Sequence, residues 1–236
     1  MNVQAKGKET IQKENVTSIT NDIEKNKNMK TLVYKIWKRT IDVIGAILGI
    51  ILLIPMTIII WIANIIVKDN GPVFFKQERI GKDGEFFKFY KYRSMVVEAD
   101  DKLSKYLAEN EEAREEYKKY KKLKDDPRIT LIGKFIRKTS IDEFPQFINV
   151  FKGQMSLVGP RPYLPREIKD MGESFNEIIK VKPGLTGLWQ VNGRSDTTFE
   201  DRLRIDKEYV QKRGMKLDTK IFIWTIGKVF VKEGAK

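Results

Sequence analysis

The run Arg137-Lys138-Thr139-Ser140-Ile141-Asp142-Glu143 sets two adjacent carboxylates beside two cations. Asp142 and Glu143 can supply a carboxylate nucleophile together with a Mg²⁺ ligand or a general base. The chain contains 0 Cys and 0 His, which excludes disulfide scaffolds, Cys-based zinc sites, Cys or His nucleophiles and any Ser-His-Asp triad. An acidic nucleophile is then among the few covalent options left. A purely structural role fits the same residues. Ser140 can cap a helix with Glu143 completing a capping box, which puts Asp142 in a first helical turn, where backbone N–H groups favour an ionised carboxylate.

Two further segments carry groups suited to phosphate. Gly159-Pro160-Arg161-Pro162 lacks the GxxxxGK[ST] spacing of a P-loop. Its prolines make it a rigid presenter of one guanidinium, suited to bidentate phosphate contact, or an ordinary turn with a surface Arg. Lys182-Pro183-Gly184-Leu185-Thr186-Gly187, followed by Trp189, Gln190, Asn192 and Arg194, combines tight turns with an aromatic face, amides and a cation. A nucleotide needs such groups, and so do many turn-rich loops.

The elements that must position these residues are unevenly charged. In 236 residues there are 45 Lys+Arg against 32 Asp+Glu, a formal charge of +13, which points to anionic partners. Residues 1–29 hold few large apolar side chains and read as a disordered polar tail. Val43–Val67 is a run of 25 residues without a charge, longer than the roughly 20 that cross a bilayer, and it is a membrane segment. Lys30, Lys35, Lys38 and Arg39 precede it and Lys68, Lys76, Arg79 and Lys82 follow it, so both flanks look cytoplasmic by the positive-inside rule. Pro55 near its midpoint predicts a sharp bend. Two forms satisfy these features: a re-entrant helix-break-helix over residues 30–68, and a kinked single span.

Past the anchor, GPVFFKQERIGKDGEFFKFYKYRSM alternates apolar and charged residues about an Asp-Gly turn and predicts a β-hairpin. Residues 98–126 hold ten acids and eight bases and predict a solvated helix or helical pair with a narrow apolar stripe. Helices are expected around Leu131–Lys138, after Asp142 and from about Thr198, with a loop at Leu157–Pro165 and a turn at Lys182–Gly187. The stretch KLDTKIFIWTIGKVFVK is either an interfacial amphipathic helix or a core-packing one. Since the tail is nearly neutral and residues 98–126 are net acidic, the basic excess belongs to the anchored core. The fold class is α/β, mostly helical with a short β-hairpin or small sheet.

The segments KRTIDVIGA, GPVFFKQERIG, FKFYKYRSM, IRKTSIDEFPQFINVFKGQMSLVGPRP, KPGLTGLWQVNGRS and DRLRIDKEYV stand in the order and spacing of the bacterial sugar transferase family. Over about residues 32–230 the chain resembles its small monotopic phosphoglycosyl transferases. The resemblance implies a re-entrant helix broken at Pro55 and a catalytic domain over 69–236 on the cytoplasmic face of the bacterial inner membrane. It implies Asp142 as nucleophile toward the β-phosphorus of a UDP-sugar, expelling UMP, with polyprenyl phosphate as acceptor of the phosphosugar. It also implies Glu143 as the second dyad member, Mg²⁺ as cofactor held by Asp142 and Glu143, and Lys91, Arg137, Arg161 and Arg194 around the diphosphate and nucleotide. Membrane lipid is a partner, and a second copy or downstream glycosyltransferases are open to it as others. Two rivals remain: a tethered nucleic-acid binder, which has only the basic excess for it, so that no nucleic acid is expected as a partner; and a non-catalytic scaffold of a polysaccharide assembly complex, in which the dyad only caps a helix.

Overall fold

A computed structural model describes residues 3–120, 123–192 and 197–231. The chain divides into two units, Met1–Thr40 and Ile41–Lys236. The boundary falls within the first helix, α1, Val3–Ile66. Helical backbone is thus present from Val3, where the sequence predicts an irregular tail over 1–29. Glu, Lys and Gln there are good helix formers even without an apolar stripe. In the first unit Tyr34 stacks on Trp37 and Lys38 lies over the Tyr34 ring.

Within the second unit one stripe of α1 meets the body of the domain. Asp42, Ala46, Leu53, Ile60 and Asn64 are buried, recurring at the three- and four-residue steps of a helical face. Gly45 and Gly49 lie on the same side, and a Cβ on Gly49 would stand 2.2 Å from the Phe147 ring. Helical backbone continues through Pro55, with no interruption of the helix there. Proline removes one backbone donor, but Leu53 and Ile60 on either side of it share one apolar cluster with Tyr92 and Ile136. The hydroxyls of Thr57 and Tyr92 lie 2.7 and 3.2 Å from the Leu53 carbonyl, so both arms are tied to the same surface. The helix stops with Lys68 at φ 56°, as Asp69 N–H reaches back to the Asn64 carbonyl, a Schellman-type closure.

Strands β1, Phe74–Ile80, and β2, Phe86–Tyr92, form the expected antiparallel hairpin, with Phe75 opposite Lys91, Gln77 opposite Phe89 and Arg79 opposite Phe87. Its turn uses Asp83 and Gly84, both at positive φ. The charged segment is a helical pair, α2, Ala99–Glu109, and α3, Glu111–Tyr120, closed on its own cluster of Leu103, Ala113 and Leu123. Thr130 caps α4, Leu131–Lys138, by accepting from Gly133 N–H at 2.9 Å. Next come α5, Gln146–Phe151, and β3, Ser156–Val158. They are followed by the short helices α6, Ile168–Met171, and α7, Ser174–Ile178.

Strand β4, Gly184–Thr186, pairs in parallel with β3, so the loop and the turn expected there each contain a strand. Helices α8, Leu188–Asn192, α9, Phe199–Lys212, and α10, Met215–Val231, complete the unit. The main core joins Ala46 of α1, Phe87 and Phe89 of β2, Val150, Met155, Leu157, Leu188, Tyr209 and Ile221. The last helix packs on the core along one face and leaves apolar side chains exposed on another. Asp218 and Ile221 of α10 are buried, while Phe222, Ile223, Trp224 and Ile226 are exposed.

Candidate active site

The dyad lies between α4 and α5 in a single 3-10 turn, Ile141–Glu143. Ser140 does not cap a helix. It sits in the left-handed region at φ 56° with no side-chain cap bond, which is uncommon for a non-glycine residue and clusters at functional sites. This reversal after α4 brings the side chains of Asp142 and Glu143 to β2. There the Lys91 ammonium lies 3.3 Å from Asp142 Oδ2 and 3.2 Å from Glu143 Oε1. Glu143, freed from a capping box, is a partner of Lys91.

The two acids differ in environment. Asp142 is buried and Glu143 half-buried. Burial raises the Asp142 carboxyl above the ordinary range; Lys91 pulls against it, Glu143 adds to it, and Arg137 opposes it from farther away. Burial disfavours the Lys91 ammonium, but Asp142 and Glu143 outweigh that and hold it up. The result is a carboxylate pair sharing one fixed cation, one member shielded from water and the other open to it.

The position of Lys91 depends on Asn149 of α5, which is fully buried. Its Oδ1 accepts from Tyr90 N–H at 3.1 Å, and its Nδ2 donates to the Lys88 carbonyl at 2.8 Å and to Gln154 Oε1 at 2.9 Å. A side-chain amide thereby stands in for a neighbouring strand along β2 on both sides of Phe89, just before Lys91.

A second polar cluster surrounds the Gly-Pro-Arg-Pro loop. Arg161 donates its backbone N–H to Asp206 Oδ2 at 3.1 Å, and the Tyr163 hydroxyl donates to the same oxygen at 2.8 Å. The Arg161 guanidinium is 3.8 Å from Glu167 and lies 5.9 Å from the centres of both the Tyr163 and Trp189 rings. Arg202 stands 5.2 Å from the same Trp189 ring, so this aromatic group meets arginines. Burial pushes Asp206 up to about 6, its bonds to Tyr163 and Arg161 notwithstanding.

Among the residues singled out from sequence, the structure brings Lys91, Asp142 and Glu143 together. Arg137 is exposed on the last turn of α4 and makes no ion pair with the dyad among the described residues. Arg161 belongs to the neighbouring cluster. Arg194 lies outside the described residues. Pro55 lies inside α1. Sequence reasoning missed Arg79, Asn149, Tyr163, Glu167, Arg202 and Asp206. For Arg79 the signal was strand alternation, which sets it on the hairpin face of Gln77, Phe89 and Lys91.

Among the described residues no three acidic, His or Cys side chains group into a metal cage. Two adjacent carboxylates, one of them accessible, are nevertheless the open hard-oxygen set that suits Mg²⁺ when substrate phosphates and water complete its shell.

The site is thus a buried carboxylate and its neighbour held by one lysine, with Arg161 on an adjoining loop. The family described as Bacterial sugar transferase matches residues 33–232, and the chain belongs to it. Over 198 residues the chain is 42% identical to the Undecaprenyl-phosphate galactose phosphotransferase of Salmonella typhimurium, covering 84% of this chain and 41% of that protein. It is 37% identical over 211 residues to the UDP-glucose:undecaprenyl-phosphate glucose-1-phosphate transferase of Escherichia coli, covering 86% of this chain and 42% of that protein. It is 38% identical over 198 residues to the Exopolysaccharide production protein ExoY of Sinorhizobium fredii, covering 84% of this chain and 87% of that protein. The chain thus spans about two fifths of the length of the first two relatives and most of the third.

Proposed function

We propose that the protein transfers a sugar 1-phosphate from a UDP-sugar to polyprenyl phosphate at the cytoplasmic face of the bacterial inner membrane, as a first membrane step of glycan assembly. The observation that carries this reading is the buried Asp142 paired with Glu143 on Lys91, in a chain of the bacterial sugar transferase family. Relatives are named for galactose and glucose-1-phosphate transfer to undecaprenyl phosphate.

In the first half-reaction an Asp142 carboxylate oxygen attacks the β-phosphorus. The bond from that phosphorus to the bridging oxygen breaks, and UMP leaves with the electron pair. In the second, a phosphate oxygen of polyprenyl phosphate attacks the aspartyl phosphosugar, re-forming the free carboxylate. Burial suits Asp142 to the nucleophilic role, because a poorly hydrated carboxylate has less water to shed. Lys91 holds both carboxylates in place and neutralises phosphoryl oxygens as charge moves among them. Glu143, being accessible, is placed to take the proton of the acceptor phosphate. Mg²⁺, held by Asp142 and Glu143, would supply further charge neutralisation on the phosphoryl oxygens.

The acceptor reading is supported by α4, which leads directly into the dyad. Leu131 and Phe135 on it are 77% and 61% exposed, next to Lys134, Arg137 and Lys138. This mixture suits the boundary between acyl chains and anionic headgroups, and a helix bound there would hold the carboxylates a few residues from the bilayer surface. Membrane fractions incubated with a panel of UDP-sugars should release UMP catalytically only when polyprenyl phosphate is present. Asp142→Asn should abolish both UMP release and the covalent intermediate, and retained turnover in that variant would overturn the mechanism.

A further inference from the structure

We propose that Arg79 is a direct ligand of the donor's diphosphate, the middle member of a row of cations, Lys91, Arg79 and Arg161, leading from the dyad to the Gly-Pro-Arg-Pro loop. The inference rests on the UDP-sugar reading above. The hairpin register puts Arg79 opposite Phe87 and Gln77 opposite Phe89, and alternate residues of paired strands share a face. On that face the Phe89 ring lies between two cations, 5.0 Å from the Arg79 guanidinium and 5.7 Å from Lys91 Nζ. Arg79 Nη1 donates to the carbonyl of Pro162, the residue after Arg161, at 2.8 Å, while the next residue of β1, Ile80, donates its N–H to the Tyr163 carbonyl at 2.9 Å. One side chain therefore spans from the neighbourhood of Lys91 to the loop that carries Arg161.

The members of the row differ in how closely an acid meets them. Lys91 is engaged by the dyad, and Arg161 meets a carboxylate only at 3.8 Å. Among the described residues no carboxylate lies within ion-pair distance of Arg79, whose Nη2 donates instead to the neutral Gln77 and whose Nε is buried without a hydrogen-bond partner. Burial and the like charge of Arg161 push the Arg79 guanidinium down to about 9, against the more distant pull of Glu167 and Glu143. A group that is desolvated, repelled by its neighbour and short of acceptors is stabilised by an anion that bridges it. Two linked phosphoryl groups have the charge and the several acceptor oxygens for that.

A purely structural Arg79, acting as a strut from β1 to the Pro162 carbonyl, would affect all ligands alike, which gives the test. Equilibrium binding of UDP and of uridine is measured on the full chain in detergent, for wild type, Arg79→Met and Arg79→Lys, with melting temperatures recorded. Arg79→Met should weaken UDP by about tenfold or more, the loss of one charge-assisted contact, and leave uridine unchanged. Arg79→Lys, which keeps the charge and loses the fork, should recover part of the UDP affinity. Equal weakening of UDP and uridine, or unaltered UDP binding in Arg79→Met, would overturn the assignment of Arg79 alone. A wild-type chain that neither binds UDP nor releases UMP would sink the donor reading, and this inference with it.

Discussion

At the residue scale, the dyad is one shielded carboxylate and one accessible carboxylate pinned by the same ammonium. Lys91 is the shared element, so its removal should cost more than its exposure suggests. Lys91→Met should lower kcat for UMP release by about a hundredfold, in the range of losing one preorganised charge-stabilising group, and Lys91→Arg should fall between. A Lys91→Met enzyme within a few-fold of wild type would remove the lysine from the charge bookkeeping. Asp206 supports a different measurement. Its carboxyl is pushed from the ordinary 3.8 up to about 6 by burial, so the folded state binds the proton more tightly than the unfolded state. Stability from this group is highest below about pH 4, falls as pH rises toward 6 and stays lower above it. The amplitude is roughly 3 kcal/mol for a shift of about two units. Between pH 4 and 7, Asp206→Asn should therefore gain on wild type by several degrees in melting temperature; parallel curves for the two proteins would show that Asp206 does not titrate in this range. Asp142 and Glu143 were legible in the sequence because adjacent carboxylates beside cations, in a chain free of Cys and His, leave few other uses. Arg79 and Asp206 were not, because an arginine in a strand and an aspartate in a polar helix look like solvated faces until the tertiary fold covers them.

At the element scale, the site depends on how α5 grips the hairpin. The hairpin, α4, the charged helical pair and α9 with its Thr198 cap could be read locally, since alternation, helical spacing and cap residues are short-range signals. The pairing of β3 with β4 could not. Each strand is three residues long, set among Gly and Pro, and held by contacts between distant segments such as Gly184 N–H on the Pro160 carbonyl at 2.8 Å. A Cβ on Gly184 would stand 2.1 Å from the Gly159 nitrogen, so glycine is there for close approach. Asn149 is a comparable long-range device. It satisfies the backbone of β2 on both sides of Phe89, next to Lys91, and its loss would leave a partly buried N–H and carbonyl unpaired, at most about 1–3 kcal/mol each. Asn149→Ala should lower the melting temperature by several degrees and also displace Lys91. In a Lys91→Met background the same substitution should then cost little further activity. A full, independent activity loss in the double variant would mean that Asn149 acts on something other than Lys91.

At the scale of the whole molecule, burial is one-sided along the apolar part of α1. Its inner stripe is taken up by the domain, while Ile47, Ile51, Ile54 and Ile58 on the opposite side are 44%, 60%, 64% and 52% exposed. Exposed apolar surface of this extent needs a nonaqueous environment, and Leu131 and Phe135 of α4 with Phe222, Ile223 and Trp224 of α10 add more of it. On the proposed function, the apolar part of α1, packed on its domain along one stripe, would carry the catalytic unit to the bilayer, which is what a lipid-borne acceptor requires. The two proposed half-reactions would differ in this need: attack on a soluble donor would not require the bilayer, whereas transfer to a polyprenyl phosphate would. Replacing Ile47, Ile51, Ile54 and Ile58 together by Ser, at positions that make no core contact, should move the protein from the membrane pellet toward the supernatant. The released protein should still give a single stoichiometric burst of UMP from a UDP-sugar, yet lose turnover with polyprenyl phosphate embedded in vesicles. Undiminished turnover on vesicles by the released variant would show that membrane attachment through α1 is not what brings the dyad to its acceptor.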